Sequence, residues 1–167
     1  MGETNRSEDG RLVLLVDHDV ESRRHVRHLL ELQGMEVVQA TNGITALELI
    51  QRLPQSFRLV ITDLDLPGLS GTLVVETLRI FRPDLPALCM SSRVPAGVDG
   101  RGCLPKPLHG PDLEAALRES NGGTPSNGRH WLAEEAVARA RARFAAAGDL
   151  VEAALELARA ADAEEPG

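Results

Sequence analysis

The stretch LVITDLDLPGLSG, residues 59–71, runs apolar and β-branched residues into an acid, Asp63, and passes at once into a loop marked by Pro67, Gly68 and Gly71. An uninterrupted apolar run fits a strand buried on both faces, as a parallel sheet covered by helices on either side requires. The polar groups collect at its carboxyl end, in Asp63 and Asp65. The same pattern repeats outward from this stretch. Leu12 to Val16 ends in Asp17, His18 and Asp19; Glu36 to Ala40 is short and β-branched; Ala87 to Met90 ends in Ser91 and Ser92; and a short run around Cys103 and Leu104 leads into Pro105, Lys106 and Pro107.

Helical periodicity fills the intervals. Val26, Leu29 and Leu30 recur between Val20 and Gln33, and Gly34 stands where a left-handed cap would fall. Thr41 and Asn42 are cap candidates for a second helix with Ile44, Leu47 and Ile50 or Leu53 inward, before Pro54. Thr72 to Phe81 gives a third, with Leu73, Val74, Leu78 and Phe81 inward, and Leu113, Ala116 and Leu117 mark another. Strands alternating with helices imply crossover connections, hence an α/β domain with a doubly wound, five-stranded parallel sheet over residues 11–119. Only 106 − 91 = 15 positions separate Ser91 from Lys106, and Pro95, Gly97, Gly100 and Gly102 interrupt them. The crossover helix between the fourth and fifth strands, the fold's fourth, is therefore expected to be reduced to a turn or absent.

Around this domain, residues 1–10 read as a polar, disordered leader and residues 120–129, containing SNGGTPSNG, as a flexible linker. Residues 130–162 read as a helical hairpin, Ala-rich over Trp131 to Ala147 and Leu150 to Ala161, with Gly148 and Asp149 supplying stop and cap. The chain of 167 residues has room for one ordinary domain and a small appendage. With no Tyr and only Trp131, Phe57, Phe81 and Phe144 as aromatics, the core must be aliphatic.

A formal charge of −7 argues against general affinity for nucleic acid. The local cluster Arg23, Arg24, His25, Arg27 and His28 reads as the solvated face of a helix. Cys89 and Cys103 are too few for a disulfide framework and lack metal-ligand spacing, which suggests a reducing compartment. With no apolar signal segment and no membrane-length apolar run, the expectation is a soluble, cytoplasmic protein.

In a doubly wound sheet the loops at the carboxyl ends of the strands converge on a crevice. Asp17, His18, Asp19, Asp63, Asp65, Ser91 and Lys106 are the residues that end these strands. Gathered carboxylates repel one another unless a cation intervenes, and a hard divalent ion or a Lys ammonium is the natural counterion. Such a pocket can direct one carboxylate as nucleophile at an anionic phosphoryl group.

LVLLVDHD, VITDLDLPGLSG and CLPKPL resemble, in order, the three signature segments of response-regulator receiver domains, over about residues 11–119. The resemblance implies a flavodoxin-like receiver of two-component signalling, a phosphoprotein of a phosphorelay. It assigns Asp63 as phosphoacceptor, Asp17 to the acidic pocket, the Asp65 backbone carbonyl to the metal, Ser91 as switch hydroxyl, and Lys106 as partner of the phosphoryl group, with a cis peptide between Lys106 and Pro107. It implies Mg²⁺ as cofactor, and a histidine kinase or histidine phosphotransfer protein as partner. Such a domain is a signalling switch rather than an enzyme, with at most self-phosphorylation from small phosphodonors and autodephosphorylation.

Two positions depart from the pattern. His18 stands where the family usually has a second metal-binding acid, and since imidazole suits softer ions, binding is expected to be weak, with Mn²⁺ or a ligand from Asp19 as alternatives. The aromatic switch position near the fifth strand holds a residue such as Cys103. In the tail, Phe144, Gly148, Asp149, Leu150, Ala153, Leu157 and Ala160 follow the spacing of a single tetratricopeptide-like unit, which cannot bury its own faces alone. The tail is expected to bind a downstream protein, the receiver or a second copy as a homodimer, not nucleic acid or membrane. Two other functions fit parts of the sequence: a pseudo-receiver that only docks proteins, and a haloacid-dehalogenase-type phosphatase suggested by Asp63, Leu64 and Asp65.

Overall fold

A computed structural model describes residues 12–54, 56–93, 103–120 and 134–164. Eleven elements follow one another: β1 (Leu12–Val16), α1 (Val20–Leu32), β2 (Glu36–Ala40), α2 (Gly43–Arg52), β3 (Phe57–Asp63), α3 (Gly71–Phe81), β4 (Ala87–Ser91), β5 (Cys103–Pro105), α4 (Gly110–Ser120), α5 (Glu134–Ala147) and α6 (Leu150–Glu164). The strands form one parallel sheet in the order β2-β1-β3-β4-β5, the doubly wound arrangement expected from the alternation. The expected loss of a helix between β4 and β5 falls on residues 94–102, and the leader and most of the linker on 1–10 and 121–129, all outside the described residues.

Strand periodicity explains the two cores. Val13, Leu15, Leu59, Ile61, Leu88 and Met90 point to one face, where Val26 and Leu30 of α1 and Leu113, Ala116 and Leu117 of α4 cover them. Leu14, Val16 and Val60 point to the other, beneath Leu47 and Ile50 of α2 and Val74 and Leu78 of α3. Each fully buried Leu or Ile of this kind contributes about 1.5–3 kcal/mol of transfer free energy.

Element boundaries refine the sequence reading in small ways. β3 begins at Phe57 rather than Leu59, because Phe57 is buried and pairs with Leu12 across a register shift. Asn42, not Thr41, caps α2, accepting from the Thr45 amide at 2.8 Å. Leu53 caps the other end of α2 at 42% exposure, so Ile50 carries the inward stripe. The basic cluster on α1 is also less uniformly solvated than its charge suggested. Arg23 donates to the Asp17 carbonyl at 2.9 Å and to Gln39 Oε1 at 3.1 Å, and His25 Nε2 lies 2.7 Å from the Leu108 carbonyl.

The hairpin α5–α6 packs on α2 and α3 of the same chain. Val137, Ala140, Leu150, Ala154 and Leu157 join the α2–α3 core, the Phe144 ring lies 4.6 Å from that of Phe81, and the Leu150 amide donates to Gln51 Oε1 at 2.9 Å. Gly148 takes φ +64° at the corner, and Asp149 Oδ1 caps α6 by accepting from the Val151 amide at 2.8 Å. The pair of helices is as expected, but its apolar faces turn onto the α/β domain of the same chain rather than a neighbouring repeat, so the tetratricopeptide-like likeness finds no support. Because helices in this fold run against the strands, Gln51 and Phe81, in the last turns of α2 and α3, mark the end of the domain remote from the carboxyl edge of the sheet.

Candidate functional site

β1 and β3 are adjacent, with Val16 paired to Thr62, so Asp17 and Asp63 emerge side by side at the carboxyl edge of the sheet. Both carboxylates are buried, Asp17 at 0% and Asp63 at 2% exposure. Two such charges would repel strongly, and Lys106, carried by the loop after β5, lies between them. Its Nζ donates to Asp63 Oδ2 at 2.7 Å and approaches Asp17 Oδ2 at 2.9 Å. The peptide between Lys106 and Pro107 is cis, and the Lys106 amide donates to the Ser91 carbonyl at 2.9 Å.

Each carboxylate is further fixed by the turn that follows it. Asp17 Oδ1 accepts from the Asp19 amide at 2.9 Å, and Oδ2 accepts from Ser22 Oγ at 2.6 Å. Asp63 Oδ1 accepts from the Asp65 amide at 3.0 Å. Burial pushes the Asp17 carboxyl up, but hydrogen bonds from Ser22, Lys106 and the Asp19 amide, with the Lys106 charge, outweigh it and hold the group below its ordinary range. Burial likewise pushes the Lys106 ammonium down, and bonding to Asp63 and Asp17 more than restores it, so that Lys106 stays charged above its ordinary range.

His18 completes the cluster. Its Nδ1 lies 3.8 Å from Asp63 Oδ2 and 4.0 Å from Asp17 Oδ1, with the side chain 48% exposed. Ligand atoms of Asp17, His18 and Asp63 all lie within 4.8 Å of one another, close enough to share one ion. This mixed nitrogen and oxygen set fits a divalent cation.

The other expected residues are placed differently. Asp19 is exposed and caps α1, its Oδ1 accepting from the amides of Glu21 at 2.9 Å and Ser22 at 3.0 Å, and it is not one of the clustered ligands. Asp65 is exposed and gives Asp63 its amide. Ser91 is buried at the end of β4, where its hydroxyl donates to the Arg93 carbonyl and accepts from the Arg93 amide at 3.1 Å. The sequence reading missed Ser22, whose hydroxyl holds Asp17, because nothing but its place in the first turn of α1 distinguishes it. It also missed the tightness of the loop after β3: a Cβ added at Gly71 would lie 1.9 Å from the Asp63 carbonyl oxygen.

An open parallel sheet with a buried carboxylate pair, a bridging Lys and a cation-sized cluster defines a receiver-type fold. The response regulator receiver domain model matches residues 13–118, and the chain belongs to that family. It is 36% identical over 130 residues to the transcriptional regulatory protein CpxR homolog of Haemophilus influenzae, covering 69% of this chain and 53% of that protein. It is 33% identical over 116 residues to the response regulator MprA of Mycobacterium leprae, covering 64% and 49% respectively. The chain thus spans about half the length of these relatives. Among solved structures, the chemotaxis protein CheY4 of Vibrio cholerae is similar at TM-score 0.58 and 26% identity, covering 66% of this chain and 98% of that one. A receiver domain from Clostridium thermocellum superposes at TM-score 0.59 and 23% identity, over 67% and 94%. Among the described residues, no helix is long and apolar enough to cross a membrane.

Proposed function

We propose that this chain is a working phosphoacceptor, modified on Asp63 by a histidine kinase or histidine phosphotransfer protein and acting through protein contacts. The observation that carries this reading is the Lys106 ammonium held at 2.7 Å from Asp63 Oδ2 and 2.9 Å from Asp17 Oδ2. An Asp63 oxygen attacks phosphorus, the bond from phosphorus to the donor imidazole breaks, and the departing nitrogen keeps the electron pair. The Lys106 ammonium compensates the negative charge that gathers on the phosphoryl oxygens. Asp17, held deprotonated, keeps the pocket anionic enough that Asp17, His18 and Asp63 would hold a divalent ion, which would supply a second positive charge beside the phosphoryl oxygens. Ser91 is the hydroxyl expected to meet the phosphoryl product, which requires it to leave Arg93.

A second reading rests on His18. An imidazole 3.8 Å from the acceptor oxygen weakens the ion site, and a chain that never accepts phosphate would serve as a docking module alone. The phosphatase alternative receives no support, since it needs the Asp65 carboxyl as acid and base, and that residue is exposed and offers Asp63 its amide. The relatives' names include a transcriptional regulator, and output here through protein rather than DNA rests on the acidic net charge of −7. The boundaries 11–119 and 130–162 and a cytoplasmic location belong to the same proposal. Incubation with acetyl phosphate and Mg²⁺ or Mn²⁺, followed by intact mass, tests it: one added phosphoryl group is expected. No addition with either ion would favour the docking module.

A further inference from the structure

The only two cysteines of the chain face one another across adjacent strands. Cys89 on β4 and Cys103 on β5 are partners in the parallel register, followed by the pairs Met90 with Leu104 and Ser91 with Pro105. Met90 and Leu104 belong to the core on the α1–α4 side, so alternation turns both cysteines to the opposite face. There the two thiols lie near enough to shift one another's titration.

Neighbouring strands lie roughly 4.7–4.9 Å apart, inside the range of about 4.4–6.8 Å that a disulfide spans between α-carbons. The α-carbons are thus within reach of a bridge, and the two side chains must lean together to bring their β-carbons to about 3.5–4.5 Å. Cys103 is buried, whereas Cys89 is only partly so, which leaves small oxidants and reductants a way in. We propose that Cys89 and Cys103 form an oxidant-sensitive dithiol, a modification site at which a hydroperoxide closes a disulfide between β4 and β5 of one chain.

The chemistry balances without help from the phosphoacceptor pocket. Cys89, the less buried of the two, is the thiol a peroxide reaches first. Its sulfur attacks one peroxide oxygen, the O–O bond breaks, and water (from hydrogen peroxide) or an alcohol (from an alkyl hydroperoxide) leaves, giving a sulfenic acid. The Cys103 sulfur then attacks that sulfur and expels water. Two thiols are oxidised and one peroxide is reduced. The bond would tie β4 to β5 two residues before Ser91 and three before Lys106, whose ammonium is bonded to Asp63.

The test is oxidation of the full chain with hydrogen peroxide, in buffer and in urea, followed by alkylation with iodoacetamide and mass analysis. In buffer, the monomer should lose two hydrogens, take up no alkyl group, yield a peptide pair linking Cys89 to Cys103, and regain two alkylatable thiols after dithiothreitol. Cys89→Ser and Cys103→Ser should each abolish the hydrogen loss, and the bridge should form faster in buffer than in urea. Retention of both thiols, oxygen added at the cysteines without hydrogen loss, a bridge between two chains, or equal rates in buffer and urea would each overturn the proposal.

Discussion

Gly71→Ala exposes how tightly the loop after β3 is wound onto Asp63. The added methyl carbon would lie 1.9 Å from the Asp63 carbonyl oxygen, 2.7 Å from its carbonyl carbon and 2.8 Å from the Leu64 α-carbon. All three are backbone atoms at the end of the central strand, so no side chain can swing aside. Opening the first contact to 3.0 Å requires a displacement of 3.0 − 1.9 = 1.1 Å. Helix propensity alone would favour Ala over Gly by at most about 1 kcal/mol, and less at the first residue of a helix. Overpacking costs about 1–3 kcal/mol where side chains can adjust, and a backbone collision belongs at or above the upper end of that range. The net is a loss of roughly 2 kcal/mol, or about 4–8 °C in Tm for a chain of this size. The same displacement moves the Asp63 carboxylate relative to Lys106, and an ångström of misplacement at a reacting group costs on the order of 100-fold in rate. Urea unfolding and the rate of labelling by acetyl phosphate measure the two effects separately. A Gly71→Ala protein with parent stability and parent labelling would refute the reasoning.

Other expectations follow from the same geometry. Lys106→Met leaves two buried carboxylates without their cation. The parent chain keeps the stabilisation from Asp17 above its ordinary value of 3.8 and loses it as pH falls through the lower folded value, and keeps that from Lys106 below 10.5 and loses it as pH rises through the higher folded value. Unfolding midpoints across pH should therefore show the variant destabilised at neutral pH, without the alkaline limb and with a weakened acid limb, since Ser22 and the Asp19 amide still hold Asp17, and parallel profiles would contradict this. His18→Asp should tighten Mg²⁺ binding in a calorimetric titration, since Asp19 is engaged as a cap, whereas unchanged affinity would mean the ligand is supplied elsewhere. Leu157→Ala removes a fully buried side chain from the shared core and should cost about 2–5 kcal/mol within a single unfolding transition. A receiver transition left unmoved would show that the hairpin unfolds independently.

The sheet and its polar carboxyl edge were legible because buried strands read as apolar runs and end on the residues they cannot bury. Asp17, Asp63, Ser91 and Lys106 all sit where that rule put them, and Ser91 differs only in being bonded to Arg93. Asp19 was ambiguous in principle: an acid between a strand and a helix serves equally as cap or ligand, and only the position of His18 nearer the pocket separates the two. The face on which α5 and α6 dock could not be read, because Ala and Leu stripes say that something is covered without saying what. Nor could the facing of Cys89 and Cys103, which depends on the register of β4 against β5 across a connection without periodic signal.

On the proposed function, Asp63 accepts a phosphoryl group within a Lys106-bridged pocket. Parallel incubation of the parent and Asp63→Asn with acetyl phosphate and Mn²⁺, read by intact mass and then by peptide mapping, tests it most directly. One phosphoryl group on the parent, located to Asp63, and none on Asp63→Asn is the expected result. An unlabelled parent, or an Asp63→Asn chain labelled as fully as the parent, would contradict it.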